Sequence, residues 1–161
     1  MNILHIEDYD KEKGVDYAGL MRGLLKGHAY TNVETLSDLK KEQVHAYDFF
    51  IIDGQFPKDR LSKPEVGMCP LAVGFLISRG IQKEHMIIWS NSTRTHQFAA
   101  ESHLLCFSKK EMKIEDYTKK GVNPKFLAKN ADPDLIASLI NLRATKRSGF
   151  KAQSSKTSRR Q

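Results

Sequence analysis

Five side chains with chemical potential follow short apolar runs in this sequence. Glu7 and Asp8 follow residues 2–6, Asp53 follows 47–52, Ser90 follows 86–89 and Lys129 follows 126–128. If those runs are neighbouring parallel strands, all five residues lie at one edge of one sheet. Three carboxylates, a hydroxyl and an amine then surround one point. Clustered carboxylates repel unless a cation or a proton offsets them. Mg²⁺ suits such a cluster, being a hard ion that prefers oxygen ligands and keeps several waters. A carboxylate such as Asp53 can also act as a nucleophile and become an aspartyl-phosphate. Ser90 would then hydrogen-bond one phosphoryl oxygen and Lys129 would neutralise another. Charge that develops in phosphoryl transfer is met mainly by such positioning and electrostatics.

The elements that must place these groups follow from the apolar pattern. Residues 2–7 and 48–53 read as strands buried on both faces, 86–89 as a third and 125–128 as a short last one, with a weaker strand over 30–36. Asp10 is positioned to cap a helix over 11–27, whose apolar stripe is Val15, Ala18, Met21, Leu24 and Leu25. Ser37 caps a short helix to Val44. A helix over 70–79 has Pro70 in its first turn and Gly80 as its stop. Asp132-Pro133 opens a last helix carrying Leu135, Ile136, Leu139, Ile140 and Leu142. Residues 93–121 fit helix or strand. Strands alternating with helices imply right-handed crossovers and a parallel sheet, whose ligands bind outside the carboxyl ends of the strands.

Bulk properties narrow the function. The 161 residues suffice for one domain with a real core, and 40% hydrophobic with 28% charged residues suits a globular chain. No apolar run is long enough to cross a bilayer, and the first run meets acid at Glu7, unlike a signal peptide. Cys69 and Cys106 lack metal-ligand spacing and read as reduced thiols of a cytoplasmic protein. Of the net charge of +7, six positive charges (Lys146, Arg147, Lys151, Lys156, Arg159 and Arg160) fall after residue 144 with no acid among them, which leaves +1 for residues 1–144. The expectation is a near-neutral domain over 1–144 and a basic, disordered tail over 145–161. Nucleic acid is then no partner for the body and at most a weak one for the tail. No membrane partner is expected.

Four segments carry a resemblance: Ile3-Leu4-His5-Ile6-Glu7-Asp8; Asp48-Phe49-Phe50-Ile51-Ile52-Asp53 with Pro57 four residues on; Ile87-Ile88-Trp89-Ser90; and Phe126-Leu127-Ala128-Lys129. In that order, over about residues 1–142, they resemble the signature segments of the receiver domains of two-component response regulators. The resemblance implies a flavodoxin-like α/β fold: a doubly wound, five-stranded parallel sheet with helices on both faces. It also implies roles. Glu7 and Asp8 match the Mg²⁺-binding acidic pair, Asp53 the phospho-acceptor, and Gln55 the position whose backbone carbonyl binds the metal. Ser90 matches the hydroxyl that follows the phosphoryl group, Lys129 the lysine, and Phe126 the aromatic switch. The implied donor is a histidine kinase or phosphotransfer protein, the output a downstream protein, and the only catalysis self-phosphorylation and hydrolysis.

Departures from that pattern shape the expectations. Asn130 stands where the family has proline, residues 58–68 lengthen the loop after Asp53, and Lys129 requires an insertion over 101–120. Lys109 is the rival, because Leu105-Cys106-Phe107-Ser108-Lys109 also reads as strand then lysine. Lys129 is preferred because a last-helix start follows it. A phosphorylation-independent adaptor is the alternative function. A phosphatase of the haloacid-dehalogenase type needs an aspartate where Gln55 stands. His5 and Trp89 read as core residues.

Overall fold

The computed structural model describes residues 1–8, 16–109, 129–130 and 133–157, with the backbone alone at 129–130 and 146–157. In chain order the elements are β1 (Asn2–Ile6), α1 (Tyr17–Leu24), β2 (Ala29–Val33), α2 (Leu36–Leu39), β3 (Phe49–Ile52), β4 (Phe56–Pro57), β5 (Pro64–Glu65), α3 (Met68–Ser78), β6 (Met86–Trp89), α4 (Thr93–Glu101), β7 (Cys106–Ser108), β8 (Lys129–Asn130) and α5 (Pro133–Thr157). The main sheet runs β2-β1-β3-β6-β7-β8, with every neighbouring pair parallel. Without the two-residue β8 this is the expected five-stranded, flavodoxin-like α/β sheet. Its order reverses at β1 and β3, which opens a crevice beyond their carboxyl ends.

The strands are apolar throughout because both of their faces are buried. Successive residues leave a strand on opposite sides and feed two separate clusters. Leu4, Ile6, Phe50, Ile52, Met86 and Ile88 pack with Leu36 and Leu39 of α2, Ala72 and Leu76 of α3, and Ala99 of α4. Ile3, Phe49, Ile51, Ile87 and Trp89 pack with Met21 of α1 and with Ile136, Ala137 and Ile140 of α5. Among the described residues no helix is long and apolar enough to cross a membrane.

Several boundaries differ from the sequence expectation. The N-cap of α1 is Asp16, whose Oδ1 accepts from Gly19 N at 2.7 Å. Asp10 and Val15 lie outside the described residues. By residue type both aspartates are good caps. Asp16→Ala should lower the unfolding free energy by about 1 kcal/mol, read from urea midpoints at constant slope. Thr35, not Ser37, caps α2, its Oγ1 accepting from Asp38 N at 3.0 Å. Residues 58–68 are not a plain loop, because β5 pairs antiparallel with β4. Gly80 ends α3 as expected, at φ +82°. The expected strand at 125–128 and the switch residue Phe126 lie outside the described residues. The backbone of α5 is helical to Thr157, past the boundary expected at 144; Ala, Lys, Arg and Gln in this stretch are strong helix formers.

Candidate functional site

Four residues extend the sheet by one rung at its C-terminal edge. Glu7 N donates to Val33 O at 3.0 Å, Asp53 N to Ile6 O at 2.9 Å and Ser90 N to Phe107 O at 3.0 Å, and Lys109 N reaches Ser90 O at 3.4 Å. These bonds continue the ladders of β1, β3, β6 and β7, which are adjacent in that order. The backbones at the site are therefore fixed by the sheet rather than by loops.

The lysine at this edge is Lys109. Its ammonium donates to Glu7 Oε2 and, at 2.8 Å, to Asp53 Oδ1. This corrects the preference for Lys129, which sits on β8, one strand further out, where its backbone alone is described. The reason is strand count. β7 pairs with β6 in the register Ile88↔Cys106 and Trp89↔Phe107, so the lysine that follows β7 arrives beside Asp53. No insertion is needed before Lys109. Of the expected insertion over 101–120, residues 101–109 form the end of α4, β7 and the lysine, and the rest lie outside the described residues.

The Lys109 side chain is 4% exposed. Its Nζ lies 4.4 Å from the Tyr17 ring centroid and 5.3 Å from that of Trp89, and the two rings meet edge to face. An ammonium over aromatic faces in a desolvated site gains further attraction. Burial alone would lower the Lys109 pKa, yet the attraction of Asp53 and Glu7 outweighs it and the pKa is raised. The lysine stays charged.

Oxygens of Glu7, Asp8 and Asp53 lie within 4.8 Å of one another, and Glu7 and Asp53 are buried. Burial, then the charge of Asp53, pushes the Glu7 carboxyl up to about 8, with Lys109 opposing. A single ammonium thus leaves the three acids under-compensated. That imbalance, with an all-oxygen donor set, is what a hard divalent cation fits. Asp53 Oδ2 accepts from Gln55 N at 3.0 Å, which fixes the carboxylate plane.

Titration of the metal-free edge has a definite sign. Folded Glu7 holds its proton to about pH 8, against an ordinary value of 4.5. The native state binds more protons across that window, so stability falls as pH rises. His5 acts oppositely, and only below its ordinary 6.5, because burial and then Lys109 depress its folded pKa. Between pH 6.5 and 8, metal-free protein should lose stability as pH rises, and Glu7→Gln should flatten that slope in urea titrations.

Ser90 reaches the same edge but on the other side of the sheet by alternation. Its Oγ accepts from Ser92 N at 3.0 Å and packs against Gly54. His96 Nε2 holds the Ser90 carbonyl at 2.7 Å. His5 is fully buried, its Nδ1 2.6 Å from Tyr30 Oη and its ring stacked near Trp89. Sequence reasoning did not single out Thr95, Tyr17 or the clamp by His96, and it reads Asp53-Gly54 only as a turn signal. Each acts through a contact across the sheet edge that no local pattern encodes.

No known family model matches this chain, and no curated protein matches it. What the fold and the site define is a class: a flavodoxin-like α/β protein whose switch-point crevice holds a buried acidic cluster, able to take a metal ion, with a caged lysine bonded to two of its acids.

Proposed function

We propose that this protein is a phospho-accepting signalling switch, a single receiver-like domain modified on Asp53. One observation carries the reading: Lys109 bridges Asp53 and Glu7 at the switch-point crevice, with Asp8 beside them. Mg²⁺ held by Glu7, Asp8 and Asp53, with the Gln55 carbonyl as a further ligand, would supply charge neutralisation at the transferring phosphoryl group. The chain's own residues do the rest. An Asp53 oxygen attacks phosphorus, the bond to the donor's nitrogen or oxygen breaks, and an acyl phosphate forms. Lys109 is already within hydrogen-bond reach of the acceptor and meets the new charge. Ser90 and Phe126 are the switch positions of this reading. The donor class is a histidine kinase or phosphotransfer protein, the location the cytoplasm, and the output a protein contact.

The test is acetyl phosphate with Mg²⁺, followed by intact mass. Wild-type protein should gain one hydroxylamine-labile phosphoryl group and Asp53→Asn none. Emission of Trp89, the sole tryptophan and neighbour of Lys109, should change with Mg²⁺ and again with phosphorylation. No adduct, or an equal adduct on Asp53→Asn, would end this reading. A second reading, a phosphorylation-independent adaptor, draws on the same ion pairs, because Lys109 compensates part of the acidic charge without any donor. It predicts partner binding by Asp53→Asn equal to that of wild type.

A further inference from the structure

We infer that His5 is a positioning residue for Glu7, taking over the carboxylate oxygen that Lys109 gives up when the site is loaded. The inference rests on the reading of Glu7 as a metal ligand. Its observation is a buried nitrogen without a partner. His5 is 0% exposed, and its Nε2 makes no hydrogen bond. A buried donor left unpaired costs free energy and calls for a reason. Nε2 points at Glu7 Oε2, 3.6 Å away, just beyond bonding distance. Lys109 occupies that same oxygen. Two donors are aimed at one acceptor, and one of them is held in reserve.

The tautomer of this proposal is assigned from the other side of the ring. His5 Nδ1 lies 2.6 Å from Tyr30 Oη, and with the phenol as donor Nδ1 is the acceptor. In a neutral imidazole the ring proton is then on Nε2, facing Glu7. When Lys109 turns to a phosphoryl oxygen on Asp53, Oε2 loses its ammonium. His5 Nε2–H would then hold Oε2 and leave Oε1 available as a ligand. Groups that orient a ligating carboxylate in this way commonly carry ten-fold or more of metal affinity.

The experiment is a Mg²⁺ titration followed by Trp89 emission on wild type, His5→Gln and His5→Met. Glutamine retains a donor near the Nε2 position, whereas methionine fills the volume without one. The expected result is His5→Gln within about three-fold of wild type and His5→Met weakened about ten-fold. If wild type shows no response, the metal reading fails and the inference goes with it. If wild type responds, but His5→Met binds as tightly or His5→Gln as weakly as His5→Met, the inference alone is overturned. Nitrogen-15 spectra of His5 in wild-type protein give a readout that needs no variant to fold. A proton on Nε2 is expected, and one on Nδ1 overturns the proposal.

Discussion

Lys109→Met will lower the unfolding free energy of the metal-free protein by about 3–5 kcal/mol, the scale of removing one partner from a buried ion pair. Methionine retains most of the side-chain volume while removing the ammonium from beside the Tyr17 and Trp89 rings, so the change is mainly a loss of charge. Asp53 Oδ1 then loses its only ion-pair partner among the described residues, and Glu7 Oε2 loses the nearer of two. Glu7 will hold its proton more firmly, which limits the loss but removes a ligand. Excess Mg²⁺ should restore part of the stability by binding the native state alone, roughly 2.7 kcal/mol at a hundred times its dissociation constant. Wild type should gain less, because its lysine already offsets part of the charge. Thermal or urea midpoints with and without Mg²⁺ read both effects. A variant as stable as wild type, with no Mg²⁺ dependence, would show that the acids need no cation and would remove the basis of the proposed site.

The central strands and the acidic cluster could be read from sequence because each rests on a local, strong signal. A fully buried parallel strand is a short apolar run, and Ile3–Ile6, Phe49–Ile52 and Met86–Trp89 are such runs. Glu7 and Asp53 break them at their carboxyl ends, so their convergence followed from topology alone. The lysine did not follow. Residues 104–107 and 126–128 are both short and both apolar. Which of them lies beside β6 depends on register, Trp89↔Phe107, and not on either segment's composition. The expectation also tied the lysine to the start of the last helix. In the structure β8 intervenes, which lets α5 begin at Pro133 while the site lysine comes twenty residues before β8. The N-cap of α1 and the extent of α5 were likewise choices between locally equivalent signals. His5 was read as a satisfied core histidine; one ring nitrogen fits that and the other does not.

Gly54→Ala should disrupt the site more than any other single added methyl at this edge. Asp53-Gly54 reads as an ordinary turn signal in sequence, yet what the glycine supplies is space. A Cβ at Gly54 would lie 1.9 Å from Ser90 Oγ, 2.7 Å from Ser90 Cβ and 2.6 Å from Thr95 Oγ1. None of these atoms is the free end of a flexible chain. Ser90 is held in the ladder at N by Phe107 and at its carbonyl by His96, and its Oγ accepts from Ser92 N. Thr95 Oγ1 donates to Gly54 O at 3.3 Å, which ties α4 to the same point. The strand end of β3 must therefore shift, and Asp53, one residue earlier, shifts with it. The expected loss is about 2–3 kcal/mol, in the upper range for overpacking, together with loss of the acetyl-phosphate adduct. A double-mutant cycle separates this from general damage. Ser90→Gly removes two of the three clashing atoms, so Gly54→Ala should cost about 1–2 kcal/mol less in that background. Additive effects of the two substitutions would mean that the cost of the added methyl does not arise at Ser90, and the packing between Gly54 and Ser90 would then not be what fixes Asp53.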